Sequence, residues 1–374
     1  MLELEAHKMA DLRLGALRDY LSSLEKRDVE IVSVGGLQRP KKTRLVGKLK
    51  GFGYGTPYLI EYKVGRRMKA GVLETMRPGG FGHDFPWDRA QSLLFAHGTY
   101  NHLPKHVRSL DVGVLTKKNE LRSVGDLSEF FILLQKVDGE GYYKDLERIR
   151  DSGVLTQMDL RRCVALAEYL ARVHKVKKEA PDLYVRAVRD LVGHGECIMG
   201  LIDSYPEEAD FLERGELEEI ERKCVEWRWK LKHKARPLCR VHGDFHPFNV
   251  MFRKGIDFTA LDRSRAEWGE AADDVAAMSI NYLLFSIQVH GRLADPFDQL
   301  YELFMKTYFD TTGDDELLEA IQPFYAWRSL VVASPIWYPN LGRENRRRFF
   351  NFIRAILETS KFDVKSVNSY LGCP

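Results

Sequence analysis

The most constraining feature of this sequence is a polar segment between apolar ones: residues 242–249 read HGDFHPFN, and the apolar stretch at 257–261 ends at Asp262. Glycine, aspartate, asparagine and proline all favour turns, so turn preference explains each residue separately. It does not explain their order and spacing over the whole segment. The pattern therefore predicts a loop and a short hairpin that carry Asp244, Asn249 and Asp262.

These three side chains suit phosphoryl transfer. Such a reaction needs a carboxylate that receives or orients the proton of an acceptor hydroxyl, and oxygen ligands that hold magnesium on the phosphates. Asp244 fits the first role, and Asn249 follows at the Asp-to-Asn offset of kinase catalytic loops. Asp262, at a strand end, suits Mg²⁺. We predict Asp244 as the catalytic base and Asn249 and Asp262 as magnesium ligands.

The rest of the chain changes character along its length. Strong β-formers dominate between 29 and 76, with a hairpin turn at Gly65-Arg66, and helical spacing dominates after 156. The continuous apolar run near 129–137 is typical of a strand covered on both faces. The predicted layout is α+β, in three parts: an N-terminal helix within 1–28, a β-rich segment 29–137, and a mostly helical segment 138–374. Individual predictions are helices at 3–26, 86–100, 156–178, 183–204 and 208–234, and further strands near 107–115 and 129–137.

Residues 238–276 resemble the aminoglycoside phosphotransferase family, to which choline, homoserine and methylthioribose kinases are related. The resemblance implies a two-lobed protein-kinase-like fold, with a small β-rich N-lobe that binds nucleotide and a larger, mostly helical C-lobe for catalysis and acceptor binding. It also implies ATP or GTP and Mg²⁺ as cofactors, and a hydroxyl group of a small molecule as the acceptor.

The same resemblance assigns supporting roles. Asp274 resembles the family aspartate that braces the catalytic loop, a role compatible with a plain helix N-cap. His174 matches a recurrent family histidine, for which we favour a packed core role. We expect His242 to support the loop by hydrogen bonds, and His246 either to contact the acceptor or to serve the loop.

Nucleotide binding is predicted from the first lobe. Gly51, Gly53 and Gly55 alternate before a hairpin, where a glycine loop lets the backbone approach phosphate oxygens closely. The resemblance alone implies that Lys136 and Val137, in the hinge, offer backbone groups to the adenine edge.

One position departs from the kinase pattern. The strand after the glycine loop normally carries a lysine for the α- and β-phosphates, and this sequence has Glu74 there. Lys69 lies about 17 Å away along an extended strand and on its opposite face. Three explanations stay open: a different strand register, another cation such as Lys50 or Lys63, or weakened nucleotide binding.

Two arginines follow Asp262 closely. Arg263 and Arg265 suit either a substrate phosphate or carboxylate, or structural ion pairs with neighbouring acidic residues. Because these cations lie beside the predicted site, we do not favour an aminoglycoside, whose pocket is expected to be strongly acidic.

Composition sets further limits. A net charge of +3 over 374 residues gives no reason to expect nucleic acid or a membrane as a partner. There is no long apolar stretch and no secretory signal pattern. The five cysteines form no C-x-x-C pair, so we expect free thiols and a cytoplasmic location. The acceptor and the oligomeric state cannot be read from the sequence.

Three functions compete at this point. The first is a small-molecule kinase, favoured by Asp244, Asn249 and Asp262. The second is a catalytically weak, kinase-like nucleotide-binding or regulatory protein, favoured by Glu74. The third is a protein-serine kinase, which ranks low because Asp262 is followed by Arg-Ser instead of Phe-Gly.

Overall fold

The computed structural model describes residues 14–36, 55–79, 82–263 and 265–373. The chain divides into two compact units, Met1–Leu134 and Gln135–Pro374. The described elements of the first unit are α1 (Leu14–Glu25), β1 (Val29–Gly36), β2 (Gly55–Val64), β3 (Arg67–Met76), α2 (Pro86–Tyr100), β4 (Gly113–Leu115) and β5 (Leu121–Ser123).

The first unit is built on an antiparallel sheet of order β1-β2-β3. The turn between β2 and β3 falls at Gly65, whose φ of +60° is a conformation that glycine adopts without strain. α1 packs against the sheet through Leu17 and Leu21, which join Ile60 and Tyr62 in a small core. The predicted N-terminal helix is confirmed over 14–25, and the predicted hairpin is confirmed with its turn.

Two strand predictions in this unit need correction. Of the segment near 107–115, only Gly113–Leu115 forms a strand, paired with β5. The segment 129–137 forms no strand, and its apolar residues over 130–134 are exposed, with Phe131 at 93% and Leu133 at 90%. An apolar run forms a strand only where another strand can pair with it, and no described strand pairs with this one.

The second unit is mostly helical. Its elements up to the polar segment are β6 (Glu140–Gly141), α3 (Tyr143–Ser152), α4 (Gln157–His174), β7 (Lys177–Lys178), α5 (Pro181–Gly193), α6 (Ile198–Asp203), α7 (Glu216–His233) and β8 (Leu238–Arg240). The remainder are β9 (Val250–Phe252), β10 (Phe258–Ala260), β11 (Trp268–Gly269), α8 (Ala271–His290), α9 (Phe297–Thr312), α10 (Gln322–Ala333), α11 (Arg343–Leu357) and α12 (Val367–Tyr370). Short 3₁₀ turns lie at 247–249, 315–319 and 364–366.

The helix α8 forms the centre of this unit. It is buried along nearly its whole length, and an apolar helix of this kind needs neighbours on every side. α9 and α10 pack against it, as do α3 and α4. The single helix predicted over 183–204 is two helices, α5 and α6, because the chain leaves helical geometry at His194. All five cysteines are free. Among the described helices, none combines the length and hydropathy that a membrane crossing requires.

Two three-stranded sheets of short strands frame the polar segment. One has the order β10-β9-β6 and the other β11-β8-β7. Because β8 belongs to one sheet and β9 to the other, the intervening residues 241–249 are held at both ends. The start of α8 follows β11 directly and lies close to this loop.

The start of α4 offers a test of the fold. Thr156 caps this helix by accepting from the N–H of Asp159, whose carboxylate in turn accepts from the Thr156 N–H at 2.8 Å. We expect Thr156→Ala to lower the free energy of unfolding by about 1 kcal/mol, and Thr156→Ser to leave it nearly unchanged. Urea denaturation followed by circular dichroism measures both. Equal stability of the alanine and serine variants would contradict the capping role.

Candidate active site

The polar segment forms a tight loop between β8 and β9. Gly243 has a φ of +84°, which a residue with a side chain rarely adopts, so the turn depends on glycine here. The N–H of Asp244 donates to Nδ1 of His242 at 3.3 Å, which supports the loop from inside. This agrees with the supporting role expected for His242. Burial lowers the pKa of His242 and favours its neutral ring.

Asp274, in the first turn of α8, holds this loop. Its carboxylate accepts from the N–H of His242 at 2.7 Å and from the N–H of Gly243 at 2.8 Å, and it is fully buried. The helix N-cap is Glu270, so the alternative of a plain cap does not apply to Asp274. Backbone donors and a helix N-terminus both favour a charged carboxylate at this place.

His174 completes the brace from the other side. Its Nε2 lies 3.1 Å from Asp274, and its Nδ1 lies 2.8 Å from the hydroxyl of Tyr308 on α9. With Nε2 protonated, the ring donates to Asp274 and accepts from Tyr308. Burial by itself would raise the pKa of Asp274, but its hydrogen bonds to His174 and His242 lower it. The packed role expected for His174 thus includes a contact with the loop-bracing carboxylate.

Asp244 lies at the centre of the loop and is almost buried, with 8% exposure. Its two oxygens differ in their surroundings. Oδ1 accepts from Nη1 of Arg328 at 2.5 Å, with Nε of Arg265 at 3.9 Å. Oδ2 lies 3.5 Å from Nε2 of His246 and 3.5 Å from Nδ2 of Asn249. One oxygen is therefore firmly bound, and the other has only long contacts.

Charge keeps Asp244 ionised. Burial alone would raise its pKa, but the hydrogen bond with His246 and the charges of Arg328 and Arg265 outweigh it and hold the pKa well below the usual range. Asp244 is consequently a carboxylate at any pH near neutrality.

Asn249 and Asp262 are brought together by the hairpin of β9 and β10. Ala260 pairs with Val250, and the N–H of Leu261 donates to the carbonyl oxygen of Asn249 at 2.8 Å. Asp262 is the next residue. It is exposed and has a φ of +53°, a left-handed conformation that aspartate tolerates better than most residues.

The donor atoms of this pair fit magnesium. The amide nitrogen of Asn249 donates to the backbone oxygen of Asp244 at 3.1 Å, which leaves its side-chain oxygen as an available ligand. The Asp262 carboxylate has no hydrogen-bond partner among the described residues. Within that part of the chain, no cluster of three or more His, Cys, Asp or Glu side chains could hold a metal. A two-residue site completed by phosphate oxygens matches the preference of Mg²⁺.

The arginines after Asp262 have different partners. Arg263 donates to the backbone oxygens of Val241 and Glu267, so it has a structural role. Arg265 forms an ion pair with Glu196 at 3.1 Å. His246 caps the short 3₁₀ turn through Nδ1, which accepts from the N–H of Phe248 at 3.2 Å. Its Nε2 points to Asp244, so the loop role expected for His246 is observed.

Sequence reasoning missed Arg328 and the part played by Asp273. Arg328 donates to Asp244, to the carbonyl oxygen of Gly243 at 3.0 Å and to the carboxylate of Asp273. A signal was present, because Arg328 is the only charged residue of α10, PFYAWRSLVVA over 323–333. A single charge in such a helix needs a buried partner.

The residues predicted to bind nucleotide belong to earlier segments of the chain. Gly51 and Gly53 fall outside the described residues, and Gly55 begins β2. Lys136 pairs with Asp138 at 2.8 Å, and Val137 is half-buried; both lie in a segment without regular secondary structure.

Glu74 lies on β3, in the hairpin whose turn was predicted at Gly65-Arg66. Glu74 is exposed on β3 and pairs in the sheet with Pro57. The ammonium group of Lys69 binds the Glu25 carboxylate of α1 at 2.6 Å, and Lys63 pairs with Glu30 at 3.4 Å. Lys50 lies outside the described residues. Neither described lysine approaches the place of Glu74.

The sequence matches the family model of the phosphotransferase enzyme family (APH) over residues 84–317, which is more than half of the chain. The chain therefore belongs to this family of phosphotransferases. Membership confirms the predicted family and, with it, the α+β protein-kinase-like fold class. No curated protein matches the sequence significantly.

Several solved kinases are similar in structure at low identity. A glucosamine kinase in complex with glucosamine, ADP and inorganic phosphate shares 17% identity over 63% of this chain and 58% of its own, with a TM-score of 0.34. An ethanolamine kinase of Plasmodium vivax shares 15% identity over 84% of this chain and 78% of its own, with a TM-score of 0.34. A choline kinase of Streptococcus pneumoniae shares 13% identity over 92% of this chain and 98% of its own, also with a TM-score of 0.34. Similarity this low says nothing about the substrate of this chain.

The brace on the loop can be tested by removing its charge. Asp274→Asn replaces one carboxylate oxygen by an NH₂ group, which then faces the backbone N–H of His242 or Gly243 without an acceptor. We therefore expect the free energy of unfolding to fall by about 3 kcal/mol. Asp310→Asn is the control, because Asp310 forms an exposed ion pair with Lys306. This substitution should lower the free energy of unfolding by less than about 0.5 kcal/mol. Urea denaturation compares the two. Similar small losses in both variants would contradict the bracing role.

Proposed function

We propose that this chain is a small-molecule kinase that transfers the γ-phosphoryl group of ATP or GTP to a hydroxyl group. The observation that carries the proposal is the grouping of Asp244, Asn249 and Asp262 on one braced loop and hairpin. Oδ2 of Asp244 lies 3.5 Å from the Asn249 amide, and Asp262 follows the residue that hydrogen-bonds back to Asn249.

In this reaction the acceptor hydroxyl donates a hydrogen bond to Asp244. A bond forms between the acceptor oxygen and the γ-phosphorus as the bond from that phosphorus to the β–γ bridging oxygen breaks. The hydroxyl proton passes to Asp244 and then to solvent. Because the transition state of phosphoryl transfer is loose, little proton abstraction is needed early in the reaction. A carboxylate with a lowered pKa therefore suits a role that is mainly orientation.

Magnesium would be held by the side-chain oxygens of Asn249 and Asp262 together with phosphate oxygens. When bound, it neutralises charge that develops on the transferred group. Asp274 and His174 act at a distance from the phosphates, by fixing the backbone of the loop. We further propose that the first unit contributes to nucleotide binding through Gly51, Gly53 and Gly55, with Lys136 and Val137 at the adenine edge.

The first test removes the charge of Asp244. We expect Asp244→Asn to lower the rate of Mg²⁺-dependent ATP or GTP turnover at least about 100-fold, with the affinity for the Mg–nucleotide retained. Phosphate release to water serves as the assay, together with a panel of hydroxyl-bearing metabolites. The control is Asp257→Asn on the same hairpin, an exposed partner of Arg253. Turnover by Asp244→Asn at the control rate would rule out the assigned base.

A catalytically weak, nucleotide-binding role is the second candidate, favoured by Glu74 and by the engagement of Lys69 with Glu25. The two candidates predict different results for Glu74→Lys. For an active kinase we expect less than about a fivefold gain in nucleotide affinity and no new turnover, since exposed charges contribute little. Calorimetry and the same phosphate assay measure both, with Glu30→Lys as a control for net charge. Turnover that arises only in Glu74→Lys would favour the second candidate.

A further inference from the structure

The guanidinium of Arg328 is placed where a charge is costly. Its side chain is 6% exposed, and it lies against the ring of Trp327 at 3.8 Å from the ring centroid. Burial of an isolated cation would be strongly unfavourable, so its presence requires compensating contacts. These contacts come from two carboxylates, Asp244 and Asp273, and from the carbonyl oxygen of Gly243.

The contacts of Arg328 join three separate elements. Asp244 and Gly243 belong to the loop after β8, Asp273 belongs to the first turn of α8, and Arg328 itself belongs to α10. The guanidinium is planar and its donors have fixed directions, so binding both the side chain and the backbone of the loop fixes orientation as well as position. A lysine would supply the charge without this geometry.

The two oxygens of Asp244 are made unequal by this arrangement. Nη1 of Arg328 binds Oδ1 at 2.5 Å, whereas the nearest described donors to Oδ2, on His246 and Asn249, are each 3.5 Å away. Contacts of that length leave Oδ2 with most of its capacity to accept a hydrogen bond. The oxygen that remains available is also the one on the side of the predicted magnesium ligand Asn249.

We propose that Arg328 is a positioning residue. It holds Oδ1 of Asp244, so that Oδ2 is the atom that accepts the hydrogen bond from the acceptor hydroxyl. This inference rests on the proposed kinase function. It assigns to α10 a part in the reaction, because that helix sets the orientation of the carboxylate through a single side chain. Asp273 acts on the other side of the guanidinium and keeps it between the two carboxylates.

The experiment compares the wild-type chain with Arg328→Lys and Arg328→Gln in Mg–ATP turnover, with phosphate release to water as the assay. For Arg328→Lys we expect kcat to fall at least about tenfold and KM for Mg–ATP to change less than about twofold, since only the orientation of Asp244 is disturbed. For Arg328→Gln, which loses the charge as well as the fixed donor geometry, we also expect kcat to fall at least about tenfold with little change in KM for Mg–ATP.

Arg347→Lys is the matched control for a purely structural role. Arg347 also forms an ion pair with a buried carboxylate, Glu216, and has no contact with Asp244. We expect Arg347→Lys to lose stability without loss of kcat at a temperature where both variants are folded. The same kcat in Arg328→Lys or in Arg328→Gln as in the wild type would overturn the inference.

If the Arg328 variants do not fold, a crystal structure of the wild-type chain with Mg²⁺ and a non-hydrolysable ATP analogue decides. An Arg328 guanidinium that no longer binds Oδ1 of Asp244 in that complex would contradict the positioning role. If the wild-type chain turns over neither ATP nor GTP, with water or with any acceptor, the proposed function itself fails. An active wild type whose turnover is indifferent to Arg328 refutes only the positioning role.

Discussion

The buried carboxylate of Asp274 is the interaction on which the second unit's candidate site depends. It accepts two backbone hydrogen bonds from the loop after β8, at 2.7 and 2.8 Å, and a third contact from His174 on α4. A buried charge is tolerated only when it is fully hydrogen-bonded, so these contacts require the loop, α4 and the first turn of α8 to be in place together. Asp244, two residues beyond the braced backbone of His242, is positioned as a result.

Arg328 holds the side chain of Asp244, as Asp274 holds the backbone of the loop. Asp273 and Asp274 are neighbours in the first turn of α8, yet they serve different parts of the loop: one holds the backbone, and the other holds the arginine that binds Asp244. Burial raises the pKa of Asp273 and Arg328 opposes this, so the guanidinium and the two carboxylates it binds depend on one another. The candidate base thus keeps one oxygen engaged and the other available.

Residue order predicted which side chains the loop and hairpin bring together, but not the side chains that surround them. The spacing of Asp244, Asn249 and Asp262 was readable because all three lie within one loop and hairpin. Arg328 was not, because it approaches from a helix 84 residues further along, and only tertiary packing brings it to Asp244. The prediction of a strand at 129–137 was wrong for a related reason. Apolar character indicates a preference for burial, but it does not show whether a partner strand is available. The presence of helices after 156 was predicted, since their apolar spacing is local, but their bounds were not: the helix predicted over 183–204 is two helices, and the one predicted over 208–234 begins only at Glu216.

The central claim is that Asn249 and Asp262 hold magnesium while Asp244, fixed by Arg328, stays free of the metal. A crystal structure of the chain with Mg²⁺ and a non-hydrolysable ATP analogue tests it most directly. The account predicts a metal ion bound by side-chain oxygens of Asn249 and Asp262 at about 2.1 Å, with Oδ1 of Asp244 still on Arg328 and Oδ2 unliganded. Direct coordination of the metal by Asp244, or a metal bound without Asn249 and Asp262, would contradict it.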